Sequence, residues 1–163
     1  MADSSKKLCS LYLLVSLLAF VLLSPNQNYV QCIVWSHFPP LVINSLFLIL
    51  TFGKVCTLQT MHDLIVPRIE YKNFALYVFK IVLRDAFLYL LVFYLGLYIY
   101  RPLIPEGYFM KILLFMGIHS LCVFLETLIL YLQLFYKKNY LFLVLAIAIH
   151  LAFHYLLVIN LFV

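Results

Sequence analysis

The sequence predicts an all-α fold: a polytopic transmembrane helix bundle of five or six spans, with one additional cytoplasmic interfacial helix. The chain is 67% hydrophobic and only 10% charged, with a mean hydropathy of +1.10. A soluble domain is about half apolar and a quarter charged, so most of this surface must face the lipid bilayer. Apolar runs of about 20 residues, rather than ten-residue alternating segments, favour helices over a transmembrane barrel.

Five apolar segments give the expected spans of a single transmembrane domain that covers residues 1–163. They lie at about 8–24, 41–58, 73–100, 112–136 and 140–163. Polar and Pro-rich stretches such as "RPLIPEGY" and "KKN" separate them. The first segment also has the basic start of a signal peptide, but it lacks a small-x-small cleavage site and its apolar core is longer than usual. We therefore expect it to be retained as a span.

The positive charges predict the orientation. With a cytoplasmic amino terminus, only Arg101 and Lys111 of the 11 Lys and Arg residues lie outside, and the other nine lie inside. The carboxyl terminus is then extracytoplasmic, and the protein is a multi-pass protein of the plasma membrane. Because this topology accounts for the net charge of +5, no nucleic-acid partner is expected.

The third apolar segment contains charges that a simple span would not have. Its polar positions follow one another at steps of four, three and four, which places them on one helical face: Asn73, Tyr77, Lys80 and Arg84. Such a stripe is typical of a helix in the membrane interface, with its cations at the headgroups. We therefore divide the segment into an interfacial helix at 73–84 and a span at 85–100, and assign Lys80 and Arg84 to lipid contact.

The loop before this stripe mixes apolar anchors with charges of both signs, in "QTMHDLIVPRIEYKN". This composition is typical of a docking surface for a soluble partner. The predicted docking residues are Met61, His62, Asp63, Leu64, Ile65, Arg68 and Lys72, within a cytoplasmic loop and interfacial helix at 59–84. The alternative is that the basic residues serve only as topology charges and contacts to anionic lipids.

The segment "LIVPRIEYKNFALYVFKIVLRDAFLYLLVFYL" resembles the region before the third span in small bacterial ATP-binding-cassette export permeases of the peptide and bacteriocin type. In that family the cytoplasmic turn after the second span couples to the ATPase subunit. The resemblance implies that Met61 to Ile65 supply the coupling element, that Arg68 and Lys72 flank it, and that Lys80 and Arg84 lie on an amphipathic stretch. Family members have six spans with both termini in the cytoplasm, whereas five are predicted here.

Ionisable residues inside the last two spans are the most chemically suggestive feature of the chain. The fourth span carries His119, Cys122 and Glu126 on one face, and the fifth carries His150 and His154 on one face. Because "KKN" makes the two spans an antiparallel hairpin, equal depth predicts contact between Glu126 and His150. The group is a structural hydrogen-bonded pair, a lining for a polar substrate or proton path, or a set of metal or haem ligands.

Sequence motifs exclude ATP hydrolysis by this chain, because no glycine-rich phosphate loop with its lysine is present. The four cysteines are scattered, so neither a zinc site nor another cofactor is expected. Cys56 with His62 is the one candidate for a cysteine nucleophile, and the chain is not expected to be an enzyme.

The leading hypothesis is a membrane subunit of a bacterial exporter, which moves a peptide, lipid or hydrophobic compound. It would work with a separate soluble ATPase and oligomerise with itself or another membrane subunit, because five spans do not enclose a pathway alone. Two alternatives remain open: a non-transporting immunity, sensor or assembly subunit, and a metal- or haem-binding membrane oxidoreductase subunit.

Overall fold

A computed structural model describes residues 38–65, 71–100, 107–136 and 139–162, and these ranges are helical with no strand. The expected first span at 8–24 lies outside the described residues, as do Arg68 and Arg101. For residues 62–65 only the helical backbone is described, so the side chains of that part of the docking loop lie outside the description as well.

The helices follow one another as a series of long rods. Helix α1 is Asn44–Ile65, preceded by a π-helical turn at Phe38–Ile43, and α2 is Tyr71–Tyr100. Helix α3 is Phe109–Leu132, extended by a 3₁₀ turn at Gln133–Phe135. Helix α4 is Leu141–Ala152, which continues through a π-helical stretch at Phe153–Val158 into α5, Ile159–Phe162. Gly107, with φ of 86°, takes the left-handed conformation just before α3, where a Cβ would be strained.

Three helices are long and apolar enough to cross a membrane: Leu41–Met61, Phe109–Phe135 and Leu141–Leu161. They coincide with three of the predicted spans to within a few residues. Together with the all-helical architecture, they fit a membrane protein.

Helix α2 is continuous for 30 residues, with no break at residue 85 where the sequence suggested a division. At about 1.5 Å per residue it is about 45 Å long, which exceeds a hydrocarbon core of about 30 Å. The predicted stripe is nevertheless a real surface feature, because Asn73, Tyr77, Lys80 and Arg84 are all exposed on one face. The opposite face of the same stretch is buried, at residues that include Phe74, Val78 and Val82.

Aromatic rings fill much of the core among α1, α2, α3 and α4. Phe47 of α1 stacks on Tyr89 of α2, with ring centroids 4.3 Å apart and planes 10° from parallel. Phe93 and Phe115 are also fully buried and belong to the same core cluster. Stacked rings of this kind hold the helix faces in one rotational setting, which matters for the polar side chains described below.

The exterior of the bundle is apolar. Exposed side chains include Ile99, Met110 and Leu121, each with more than two thirds of its surface accessible. In water such a surface would favour aggregation, whereas in a bilayer it is the expected outer face.

The turn between α3 and α4 is tied by one buried glutamine. Gln133 Nε2 donates to Gln59 Oε1 at 3.3 Å and to the Tyr136 carbonyl at 3.2 Å, and its Oε1 accepts from the Asn139 backbone N–H at 3.1 Å. Asn139 Oδ1 in turn accepts from the N–H of Leu141, the first residue of α4. These bonds fix α3 and α4 as an antiparallel hairpin and join it to the end of α1.

Candidate functional site

Glu126 lies at the centre of a polar cluster inside the bundle, where its side chain has no accessible surface. It is four residues from the midpoint of Phe109–Phe135, about 6 Å along the helix axis. A carboxylate at this depth has no water shell and requires protein partners. The structure gives it three, each from a different position in the fold.

The first partner is His150 of α4, whose Nδ1 lies 3.0 Å from Glu126 Oε1. This confirms the contact predicted from helical periodicity and the short α3–α4 turn. His150 is one residue from the midpoint of Leu141–Leu161 and is 1% exposed, so the pair is enclosed at mid-span. With the carboxylate ionised, Nδ1 is the donor, because an ionised carboxylate only accepts hydrogen bonds.

The second partner is Asn44, the first residue of α1, which the sequence analysis did not identify. Its Nδ2 donates to Glu126 Oε2 at 3.0 Å, across 82 positions of the chain. Asn44 is fully buried, and its Oδ1 has no hydrogen-bond partner among the described residues. The two carboxylate oxygens are thus used by two different helices.

The third partner is Cys122, one turn before Glu126 on α3. Its Sγ donates to Glu126 Oε1 at 3.2 Å, and the residue is partly buried. Sγ of Cys122, a carboxylate oxygen of Glu126 and a ring nitrogen of His150 all lie within 4.8 Å of one another. This is the one group of three such side chains within ligand distance among the residues that the structure describes.

His119 lies beside this cluster in an aromatic cage. Its ring stacks on Phe115 and Phe153, at centroid distances of 5.3 and 5.7 Å, and meets the His150 ring edge-on at 5.8 Å. Its Nδ1 is 2.7 Å from the hydroxyl of Tyr94, while its Nε2 has no hydrogen-bond partner among the described residues. The cage therefore orients a buried imidazole that has one unused nitrogen.

The contacts of Tyr94 link the tautomer of His119 to the direction of the tyrosine hydroxyl proton. The tyrosine hydroxyl donates to the carbonyl of Met116 at 3.2 Å, and a hydroxyl has one proton to donate. When that proton is used on the carbonyl, the 2.7 Å contact requires Nδ1–H of His119 to donate to the tyrosine oxygen. Nε2 is then unprotonated and carries a free lone pair.

His154 is also buried, at 1% exposure, as the sequence pattern suggested. It lies in the π-helical stretch Phe153–Val158, where the backbone widens by one residue per turn. Such stretches are often found at functional sites. The structure thus places all four predicted intramembrane polar residues inside the bundle, namely His119, Glu126, His150 and His154.

A second polar site contains two of the three charges of the third apolar segment. Asp85 of α2 pairs with Lys54 of α1 and with the neighbouring Arg84, whose Nη2 lies 3.1 Å from Asp85 Oδ1. The Asp85 side chain is 6% exposed, Lys54 is 18% exposed and Arg84 is 52% exposed. Arg84 therefore has a protein partner in addition to the predicted contact with lipid, and Lys54, which sequence analysis assigned only to topology, is a partner of Asp85.

Two of the seven predicted docking residues have side chains that the structure describes. Met61 is exposed near the end of α1, and Lys72 is exposed at the start of α2. The other five lie outside the described side chains, and residues 66–70, between the two helices, lie outside the described residues altogether.

No protein-family model, curated protein or solved structure matches this chain.

Proposed function

We propose that this chain is a membrane-spanning subunit of an ATP-driven exporter, working with a separate ATPase subunit. The observation that carries the proposal is the enclosed group Asn44, Glu126 and His150, which brings polar side chains of all three candidate spans together inside the bundle. A bundle that only had to be stable would gain as much from apolar side chains of similar volume, because buried ionisable pairs add little net stability. A polar cargo or proton would give such a group a use.

The energy source in this proposal is external, because the sequence has no phosphate loop. The attachment point is residues 59–84, where exposed Met61 and Lys72 border the loop between α1 and α2. The ion cluster Lys54–Asp85–Arg84 joins these two helices near the middle of each. A force applied to the loop would therefore be transmitted to α1 and so to Asn44 in the polar cluster.

The proposed topology keeps the amino terminus in the cytoplasm and the carboxyl terminus outside. It counts 8–24 and the second half of α2 as spans in addition to the three apolar helices. Helix α2 then enters the membrane obliquely as one rod, with its first part, about 73–84, in the cytoplasmic interface and Lys80 and Arg84 toward the headgroups. The extra length of α2 supports this arrangement, since 45 Å is more than one upright crossing needs.

The docking site is tested by charge reversal at one exposed lysine. The chain is co-expressed with the ATPase encoded nearest to its gene, captured through an affinity tag in mild detergent, and the bound ATPase is quantified. We expect Lys72→Glu to reduce the amount of bound ATPase, and Lys111→Glu, an equally exposed lysine at the opposite end of the bundle, to leave it unchanged. Capture of no ATPase by the native chain, or equal capture by both variants, would overturn the proposal.

The polar cluster is tested by Glu126→Gln, which keeps the shape and the capacity to hydrogen-bond but removes the charge. If the cluster serves transport, the variant should keep its fold and its bound ATPase but lose ATP turnover of the complex in proteoliposomes. A purely structural cluster should lose about 1 kcal/mol of stability or less and keep that turnover. The second result would favour the non-transporting immunity, sensor or assembly subunit.

A further inference from the structure

We propose that Cys122, Glu126 and His150 form a binding site for one divalent transition-metal ion, of which Zn²⁺ is the best match. The inference goes beyond the exporter proposal and does not depend on it. It differs from the expectation from sequence that the cysteines have no metal-binding role, because the proposed partners come from two helices rather than from a local cysteine motif. The argument rests on geometry, charge and the surrounding hydrogen bonds.

The geometry is close to that of a tetrahedral site. Zinc bonds of about 2.3 Å to sulfur and 2.0–2.2 Å to nitrogen and oxygen place neighbouring ligand atoms about 3.3–3.6 Å apart. Here Glu126 Oε1 lies 3.2 Å from Cys122 Sγ and 3.0 Å from His150 Nδ1. Side-chain adjustments of about half an ångström would open the group around an ion, since all three ligand atoms already fall within 4.8 Å.

The charge of the site selects a divalent ion. When a metal binds, the Cys122 thiol and the imidazole nitrogen facing it lose their protons, so the ligands become one thiolate, one carboxylate and one neutral imidazole. Their total charge of minus two is balanced by a 2+ ion. A neutral site is what a low-dielectric bundle interior tolerates best. The mixture of thiolate, imidazole and carboxylate favours Zn²⁺ or Co²⁺ over Mg²⁺ or Ca²⁺, which prefer oxygen ligands alone.

The neighbouring residues support the same site. Asn44 Nδ2 occupies Glu126 Oε2, which leaves Oε1 as the oxygen directed at Cys122 and His150. Hydrogen bonds of this kind orient the ligands of metal sites and raise affinity. His119 lies beside the site, with its ring 5.8 Å from that of His150, but it is not one of the three side chains whose ligand atoms fall within 4.8 Å of one another.

The site is tested with Co²⁺ alone, because a cobalt–thiolate bond gives a charge-transfer absorption that Zn²⁺ abolishes on displacement. The full chain is purified in detergent with a tag that contains no histidine, stripped with a chelator and titrated. The background variant carries Cys9→Ser, Cys32→Ser and Cys56→Ser, so that Cys122 is the remaining cysteine. We expect one Co²⁺ per chain, with the thiolate band present in both the native and the background protein.

Adding Cys122→Ser to that background should abolish the band. Asn44→Ala, which removes only the supporting hydrogen bond, should weaken Co²⁺ binding about 10-fold, and Glu126→Gln should weaken it about 100-fold or more. Circular dichroism and size-exclusion profiles identify any variant that fails to fold. If a variant does not fold, the native and background proteins still test the metal site. Absence of the cobalt–thiolate band from both proteins would overturn the proposal, and so would a band that persists after Cys122→Ser.

Metal binding is an equilibrium property of the chain without any ATPase. A chain that captures no ATPase but binds Co²⁺ through Cys122 would refute the exporter and leave the metal site intact. A chain that captures the ATPase but shows no cobalt–thiolate band would refute the metal site and leave the exporter proposal intact.

Discussion

Removing the charge of Asp85 should destabilise the bundle more than any other single change to its charged residues. Asp85→Asn keeps the side-chain shape but leaves the Lys54 ammonium in a site where its side chain is only 18% exposed. Loss of one partner from a buried ion pair costs about 3–5 kcal/mol. We expect about 3 kcal/mol here, the lower end, because the flexible lysine stem can extend its charge toward the headgroups.

The contribution of the pair itself requires a double-mutant cycle. Lys54→Met should cost less than Asp85→Asn, about 1–2 kcal/mol, because Asp85 keeps its 3.1 Å contact with Arg84. The double variant leaves neither a buried ammonium nor a buried carboxylate, so it should be more stable than Asp85→Asn alone. Lys80→Met, an exposed lysine on the same helix as Asp85, is the matched control and should change stability by less than about 0.5 kcal/mol.

The assay is unfolding of the purified protein in mixed micelles with increasing SDS, followed by circular dichroism. The free energies of the four proteins give the coupling energy directly. If the two single losses add to within about 0.5 kcal/mol in the double variant, Lys54 and Asp85 do not interact and the assignment of the buried pair is wrong.

The same unfolding assay tests two other features. Gln133→Ala should cost about 2 kcal/mol, because it removes the hydrogen bonds that close the α3–α4 turn. The control is Asn160→Ala, at an exposed residue whose side chain donates to the Leu156 carbonyl one turn earlier, and it should cost less than about 0.5 kcal/mol. Phe47→Ala should cost about 2–3 kcal/mol of unfolding free energy, which is less than in a soluble core because the unfolded side chain faces lipid rather than water. Phe87→Ala, at an exposed position, should be nearly neutral. Equal losses in the two variants would refute the stacked core. A reporter fused after Val163 should be active only outside the cytoplasm, and cytoplasmic activity would invert the proposed topology.

The Glu126–His150 contact could be predicted from sequence because local rules determine it. Helical periodicity gives the face of each residue, and a turn of a few residues fixes the relative depth of two antiparallel helices. Asn44 could not be found in this way, since the rotation of α1 relative to α3 depends on packing between segments 82 positions apart. The Lys54–Asp85 pair had one signal in the sequence: an acidic residue within an apolar segment requires an oppositely charged partner, and Lys54 is such a residue.

Periodicity was less informative about α2. The stripe of polar residues predicted which face of the helix is exposed, and the structure confirms that face. The division at residue 85 was a further inference from the same stripe, because a basic stripe on an otherwise apolar helix is typical of the membrane interface. Backbone hydrogen bonding continues through charged residues when their side chains find partners, as Asp85 does with Lys54, so α2 forms one rod.

The short α3–α4 connection has a consequence for biogenesis. Glu126, an ionisable residue whose entry into lipid is costly, finds His150 only 24 positions later in the chain, so a helical hairpin can enter the bilayer with its acid already paired. Asn44 is synthesised 82 positions before its partner Glu126, but an uncharged amide costs less free energy in lipid than a carboxylate does. The order of synthesis thus exposes the cheaper polar group for the longer time. Lengthening the connection after Gln133 should accordingly impair membrane insertion more than Gln133→Ala does, although both changes remove the bonds that close the turn.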